Sequence, residues 1–149
     1  MKTTTMRWAL MAIMSGTMLF SCKKEDDNNS GCSRSVTGIT GSYKLTALQY
    51  KASGDANPVD YMEFYDDCQK DDIIVLKSDG SYDYNDEGIT CDPDPDRVDH
   101  GSWKVDGNTL IIDGYATGTI TSYDCKALVF YAVDFIGKGD KLTFTMERQ

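Results

Sequence analysis

Residues 101–113 read GSWKVDGNTLIID. Apolar Trp103 and Val105 alternate with polar neighbours before the turn Asp106-Gly107-Asn108, and the apolar run Leu110-Ile111-Ile112 follows it. A period of two is the side-chain period of a β-strand, and Gly, Asn and Asp tolerate the positive φ angles of tight hairpin turns. This stretch therefore predicts a β-hairpin.

The same pattern continues along the chain from residue 39. Short runs rich in Tyr, Val, Ile, Thr and Leu are separated by turn sequences such as Ser78-Asp79-Gly80 and Gly137-Lys138-Gly139-Asp140. Because these connections are short, consecutive strands should pair antiparallel. The eight predicted strands are Ser42–Gln49, Ile73–Lys77, Ser81–Tyr84, Gly101–Val105, Thr109–Asp113, Thr117–Ser122, Lys126–Phe135 and Lys141–Glu147.

Short connections and strands of similar length permit either a β-sandwich or a closed up-and-down barrel, and only closure removes the sheet edges. The run Gly41-Ser42-Tyr43-Lys44-Leu45-Thr46 resembles the Gly-x-Trp opening strand of lipocalin-like domains, with Tyr43 in the usual place of Trp. The other matching motifs are, in chain order, Cys68-Gln69-Lys70-Asp71-Asp72, Ser78-Asp79-Gly80-Ser81-Tyr82, Gly88-Ile89-Thr90-Cys91, Gly101-Ser102-Trp103-Lys104-Val105 and Leu142-Thr143-Phe144. Together they resemble the bacterial cell-envelope lipocalin-like family.

This resemblance favours closure and implies an all-β fold, an eight-stranded antiparallel up-and-down barrel over residues 39–149. It also implies a disulfide between Cys68 and Cys91. The segment Val59–Asp67 has the only helix-like spacing in the domain, so we expect a short helical turn there, lying across one end of the barrel.

Residues 1–21 have the pattern of a secretory signal peptide. Lys2 and Arg7 precede an apolar run, Trp8–Phe20, which is followed by Ser21-Cys22. The run has 13 residues, fewer than the ~20 that a helix needs to span a bilayer, so we do not expect a permanent transmembrane helix.

Leu19-Phe20-Ser21-Cys22 resembles the lipobox of bacterial lipoproteins, although Phe20 departs from the usual small residue. The resemblance implies that Cys22 becomes the mature N-terminus and carries acyl chains such as palmitate, which anchor the protein to a membrane. Residues 22–38 are charged and rich in Asn, Ser and Gly, so we expect an acylated flexible tether. Lys23, in place of the Asp of an inner-membrane retention signal, favours the outer membrane, and Lys24-Glu25-Asp26 resembles a surface-export tag.

The chain is acidic, with 15 Lys and Arg, 24 Asp and Glu and a net charge of −9. Removal of residues 1–21 takes away Lys2 and Arg7, which leaves 13 basic residues and a net charge of −11. A nucleic-acid partner needs clustered Lys and Arg, so this class of partner is not expected. The acidic domain should also repel anionic headgroups, so membrane contact should depend on the lipid anchor.

Four cysteines remain when Cys22 is assigned to lipid. An even number in an exported chain indicates disulfides, and four cysteines allow three connectivities. The chain has no C-x-x-C pair, which argues against a zinc site. We predict Cys68–Cys91, as the family resemblance implies, together with Cys32–Cys125, which would fasten the tether to the barrel wall.

Strand alternation also predicts which side chains face the barrel interior. An interior of this size is either filled by side chains or holds one small apolar ligand, and the sequence leaves both possibilities open. The side chains predicted to contact a ligand are Tyr43, Leu45, Ile74, Leu76, Tyr82, Trp103, Val105, Leu128, Phe130 and Phe144. Further inward positions are Leu110, Ile112, Ile120 and Leu142.

Three acidic or titratable features are candidates for catalytic or metal sites. Residues 92–99 place carboxylates at alternate positions, as calcium loops do, but Arg97 and Trp103 occupy the places where an EF-hand needs Gly and Glu, so we predict a solvated, proline-stiffened loop. His100 has no Ser or Cys nucleophile in a recognisable motif. Adjacent Asp71 and Asp72 would point to opposite faces of a strand, which argues against a paired-carboxylate site. We therefore expect no enzymatic activity, cofactor or metal.

Two functions agree with these observations. The first is a lipid-anchored envelope module that binds a small hydrophobic ligand inside its barrel. The second is a structural or interaction lipoprotein with a filled barrel, which contacts a protein or glycan partner at the cell surface.

Overall fold

The computed structural model describes residues 32–54, 57–91 and 98–149. All eight predicted strands are present within these ranges, with ends shifted by up to three residues, and a two-residue strand is added. The nine strands are β1 Gly41–Lys51, β2 Val59–Asp60, β3 Ile73–Leu76, β4 Ser81–Asn85, β5 Val98–Asp106, β6 Thr109–Ile112, β7 Ala116–Tyr123, β8 Ala127–Val133 and β9 Lys141–Arg148.

Eight of these strands form a closed antiparallel barrel. From β3 to β9 each strand pairs with the next one in the chain, β1 pairs with β3, and β1 also pairs with β9. The closing β1–β9 register runs from Tyr43 opposite Arg148 to Lys51 opposite Lys141, with a β-bulge between Leu45 and Ala47. A bulge bends its strand and increases its twist, which suits the strand that closes a barrel. The fold is therefore the predicted barrel and not a sandwich.

The N-terminal segment closes one end of the barrel. A single helical turn, α1 (Val36–Ile39), is capped by the Ser35 side chain, which accepts a hydrogen bond from the Gly38 N–H. Ile39 is fully buried in the core, and Cys32 forms the predicted disulfide with Cys125 in the β7–β8 turn. Residues 32–38, which composition assigned to the flexible tether, are thus folded against the barrel, because the disulfide and Ile39 hold them there.

Hydrogen bonds fix this closed end. The buried Tyr43 hydroxyl donates to the Ile39 carbonyl at 2.6 Å. Nη2 of Arg148 donates to the carbonyl of Thr40 at 2.7 Å and to the hydroxyls of Tyr123 and Tyr43 at 2.9 and 3.1 Å. The guanidinium therefore connects the end of β9 to α1 and β7. The buried core at this end consists of Ile39, Tyr43, Leu76, Trp103, Leu110, Ile120, Tyr123, Leu128 and Met146.

The segment between β1 and β3 lies at the opposite end of the barrel. The sequence predicted one helical turn over Val59–Asp67, but Val59 and Asp60 pair with β1 as β2, and two separate 3₁₀ turns follow at Met62–Phe64 and Asp67–Gln69. The second predicted disulfide, Cys68–Cys91, ties this segment to the connection between β4 and β5.

Some predictions lie outside the described residues. These are the signal peptide, the Cys22 lipidation site and the tether as far as residue 31, as well as residues 92–97 of the acidic loop. Within the ranges that the structure describes, no helix has the length and apolar character needed to cross a membrane.

Candidate functional site

A cavity of about 440 Å³ occupies the half of the barrel opposite α1. Its volume falls within the range of roughly 300–1,000 Å³ that is typical of pockets for small ligands. Most of the described side chains on its wall are aliphatic or aromatic, and the polar ones are few. The lining residues are Leu45, Tyr65, Gln69, Asp72, Ile74, Leu76, Tyr82, Tyr84, Asp99, Leu110, Ile112, Leu128, Phe130, Phe144 and Met146.

Strand register determines which side chains lie beside one another on the wall of this cavity. Phe130 lies directly opposite Phe144 in the β8–β9 ladder, and their rings stack with centroids 4.8 Å apart. Directly opposed residues share one face of a sheet, so both rings face the lumen. Gly118 of the neighbouring strand leaves space for the Phe130 ring, since a Cβ there would come within 2.8 Å of it.

Four lining residues form the inner end of the cavity. Leu76, Leu110, Leu128 and Met146 belong both to the cavity wall and to the buried core, and each is at most 5% exposed. The filled half of the barrel and the hollow half therefore meet at this layer.

Seven of the ten side chains predicted to contact a ligand lie on the cavity wall, as do Leu110 and Ile112. Tyr43, Trp103 and Val105 are not among the lining residues and pack instead in or against the core of the closed half. Tyr43 bonds to Ile39, and Nε1 of Trp103 donates to the Lys77 carbonyl at 3.0 Å. Strand alternation predicts that a side chain faces inward, but it does not specify the height of that side chain along the barrel axis. The two remaining inward positions, Ile120 and Leu142, are buried.

The polar lining residues form a group that the sequence pattern does not bring together. Tyr84 donates its hydroxyl proton to Oδ2 of Asp72 at 2.5 Å, and Tyr65, Gln69 and Asp99 line the same cavity. The only sequence signal for this group was register: Tyr84 lies opposite Ile74, which was predicted to face inward. Asp72 lies just before β3, where no strand pattern predicts its direction.

A second tyrosine–carboxylate pair lies further down the wall. The Tyr82 hydroxyl donates to Oδ2 of Asp113 at 2.9 Å, across the strand that carries Gly101. A Cβ at Gly101 would overlap the Tyr82 ring and the Asp113 carboxylate. Glycine at this position is therefore what allows the Tyr82 ring to reach across β5.

Burial raises the pKa values of these phenols. Burial and the hydrogen bond to Asp113 raise the pKa of Tyr82 to about 12. Burial and the neighbouring Tyr123 hydroxyl raise the pKa of Tyr43 to about 12. Burial and the bond to Asp72 raise the pKa of Tyr84 as well, so its hydroxyl remains a donor at neutral pH.

The other candidate groups from the sequence lie away from the cavity wall. Nδ1 of His100 lies 2.8 Å from Oδ1 of Asp83, and the His100 side chain is 69% exposed. Oδ2 of Asp71 accepts a hydrogen bond from the Ile89 N–H. Within residues 32–54, 57–91 and 98–149, no three His, Cys, Asp or Glu side chains are grouped closely enough to hold a metal ion.

A comparison against protein-family models agrees with the barrel fold. The family model described as a lipocalin-like domain matches residues 39–130, which is more than half of the chain. The chain belongs to the lipocalin-like family. A search of curated proteins found no match, and neither did a search of solved structures. The lipocalin-like barrel is a fold that suits the binding of small ligands, and the cavity lies in the barrel half where Phe130 and Phe144 face the lumen.

The raised pKa values predict that the lipocalin-like domain loses stability in alkaline solution. Unfolded phenols release their protons near pH 10, whereas the folded chain holds those of Tyr43 and Tyr82 until about pH 12. The free energy of unfolding should therefore fall as the pH rises from about 10 to 12. Urea denaturation at a series of pH values measures this slope.

The double variant Tyr43→Phe/Tyr82→Phe should show a shallower fall than the wild type over this pH interval. Tyr115→Phe, which removes a phenol that is 81% exposed, serves as the control and should change the slope less than the double variant does. Equal slopes in the wild type and the double variant would contradict the assignment.

Proposed function

We propose that this chain is a non-enzymatic, lipid-anchored module of the cell envelope that binds a small hydrophobic ligand inside its barrel. The observation that carries the proposal is the cavity of about 440 Å³ whose wall includes the stacked Phe130 and Phe144 rings. An apolar pocket with a few polar groups is the usual form of a small-molecule site.

The energetics of the cavity wall support an apolar ligand. Removing apolar surface from water contributes about 25 cal/mol per Å², so a short hydrocarbon chain that enters the cavity gains several kcal/mol. The wall is held by strands with a closed hydrogen-bonding pattern, so the site is largely formed before a ligand arrives. A preformed site lowers the entropic cost of binding.

The Leu45→Trp variant tests whether this cavity is the binding site. Leu45 lies on the wall, so an indole there should fill the space that the ligand uses. We expect the wild-type domain to bind 1-octanol saturably at one site in isothermal titration calorimetry, and Leu45→Trp to bind it at least tenfold more weakly.

Lys44→Trp is the matched control, because adjacent residues of a strand face opposite sides and Lys44 therefore points away from the lumen. Its affinity for 1-octanol should stay within twofold of wild type. Absence of saturable binding by the wild type, or equal loss in both variants, would overturn the proposal.

The lipid anchor rests on the N-terminal sequence. The signal-peptide pattern of residues 1–21 and the lipobox-like Leu19-Phe20-Ser21-Cys22 support acylation of Cys22. Lys23 supports residence in the outer membrane, and the export-tag-like Lys24-Glu25-Asp26 supports exposure at the cell surface. Two or three acyl chains suffice for stable anchoring, whereas one chain binds only reversibly.

Metabolic labelling tests the anchor directly. Cells that express the full chain should incorporate labelled palmitate into the protein, and the Cys22→Ala variant should lose the label and leave the membrane fraction. A Cys32→Ala variant controls for removal of a different cysteine and should keep the label. Palmitate that persists in Cys22→Ala would contradict the assignment.

Exposed apolar side chains at the open end of the barrel, which is the end opposite α1, favour a second candidate function. This function is that of an interaction lipoprotein with a protein or glycan partner. Phe64 is 71% exposed and Tyr115 is 81% exposed, and both lie in connections at this end. Phe135 and Ile136 are also exposed, and their N–H groups donate to the buried Asp140 carboxylate at 2.8 and 2.9 Å, which holds this loop in place. Fixed aromatic side chains around a rim suit contact with a protein surface or a sugar ring. Failure of the wild-type domain to bind 1-octanol would favour this second function.

A further inference from the structure

The polar groups of the cavity are concentrated near its mouth. Asp72 immediately precedes β3, Tyr84 is the penultimate residue of β4, and Asp99 is the second residue of β5. In an antiparallel barrel these three positions lie at the same end, and Tyr84 is directly opposite Asp99 in the β4–β5 register. The inner end is formed by Leu76, Leu110, Leu128 and Met146. A ligand in this cavity would thus meet an apolar floor and a polar entrance.

Asp72 is a buried carboxylate whose described partners are neutral. It is only 8% exposed. Its Oδ2 accepts from the Tyr84 hydroxyl at 2.5 Å, and its Oδ1 accepts from the Glu87 N–H at 3.4 Å. Both oxygens act as hydrogen-bond acceptors. A buried charge without an opposite charge is unfavourable, so the site gains from a cation that enters with the ligand.

The described part of the cavity wall contains no lysine, arginine or histidine to compensate the charge of Asp72. The chain as a whole carries a net charge of −9. The potential inside the cavity therefore opposes the entry of an anionic head group, such as the carboxylate of a fatty acid, and favours a cation.

Aromatic rings accompany these carboxylates. Tyr65, Tyr82 and Tyr84 line the cavity, and the face of a tyrosine ring attracts a nearby ammonium group. The combination of an acidic side chain with several aromatic rings is well suited to binding an amine. Because the pKa of Tyr84 is raised, its phenol stays neutral and continues to donate its hydrogen bond to Asp72.

We infer that the cavity is selective for a cationic amphiphile: an alkyl or aryl amine whose apolar part lies against Phe130, Phe144 and the core layer, and whose ammonium group lies at Asp72. This inference rests on the binding function proposed above and specifies the chemical class of its ligand. Among apolar molecules of equal size, the charge of the head group should then set the order of affinity.

Three probes with the same eight-carbon chain test this inference. Octylammonium, 1-octanol and octanoate differ only in head group, and all three are titrated calorimetrically into the folded domain at pH 7 and low ionic strength, below micelle-forming concentrations. We expect octylammonium to bind about tenfold more tightly than 1-octanol, and octanoate at least tenfold more weakly than 1-octanol.

The Asp72→Asn variant tests the assigned residue. Asparagine retains a carbonyl acceptor for the Tyr84 hydroxyl but removes the charge, so octylammonium should lose about tenfold in affinity while 1-octanol stays within twofold. Asp106→Asn is the matched control, because Asp106 is an exposed carboxylate at the closed end of β5, and it should leave all three affinities unchanged. Circular dichroism of each variant verifies folding, and the order of the three wild-type affinities tests the inference even if Asp72→Asn does not fold.

The outcomes separate the inference from the function on which it rests. If 1-octanol does not bind the wild type, the binding function proposed above fails. If 1-octanol binds but octylammonium is no tighter, or octanoate is the tightest, the cavity binds apolar molecules and the inferred charge selectivity is wrong. If octylammonium is favoured equally in the wild type and in Asp72→Asn, the selectivity does not come from Asp72.

Discussion

The pairing of β1 with β9 is the constraint on which the rest of this structure depends. Eight residue pairs, from Tyr43 with Arg148 to Lys51 with Lys141, join the first long strand to the last. This ladder satisfies the backbone groups of two strands that would otherwise be sheet edges. It also fixes the interior volume of the barrel, so the side chains available along each strand decide how much of that volume is filled.

The two ends of the barrel are occupied in different ways. At one end, large side chains such as Tyr43 and Trp103 meet Ile39 of α1, and Arg148 joins the chain termini by hydrogen bonds. At the other end, the chain contributes only connecting segments, one of which is fastened by the Cys68–Cys91 disulfide. The result is a packed half beside a hollow half, and this asymmetry places the entrance of the cavity at the end opposite α1. The net acidity of the chain continues into that entrance through Asp72.

Much of the fold could be predicted because its signals are local. Alternation and turn sequences placed all eight barrel strands, and the family resemblance distinguished the barrel from a sandwich. Closure itself depends on contacts between distant residues, and α1 was missed because its stability comes from Ile39 burial and the Cys32–Cys125 disulfide and not from its own short sequence. For the site, strand alternation predicted wall residues such as Leu45 and Phe144. It could not exclude Trp103 from the cavity wall, although the Trp103 indole N–H donates to the Lys77 carbonyl in the closed half of the barrel. It also could not find Asp72, whose direction is set by Tyr84 on another strand.

The central claim is that one half of the closed barrel is hollow and admits an apolar molecule. Methyl-resolved NMR of the folded domain during a titration with 1-octanol tests this most directly, because it reports where the ligand lies. The account predicts saturable shift changes at the methyl groups of Leu76, Leu110, Leu128 and Met146, with Ile39 at the closed end unaffected. Shift changes confined to the exposed Val59, Ile89 and Ile136 would show that the molecule binds only to the outside, and would contradict the claim.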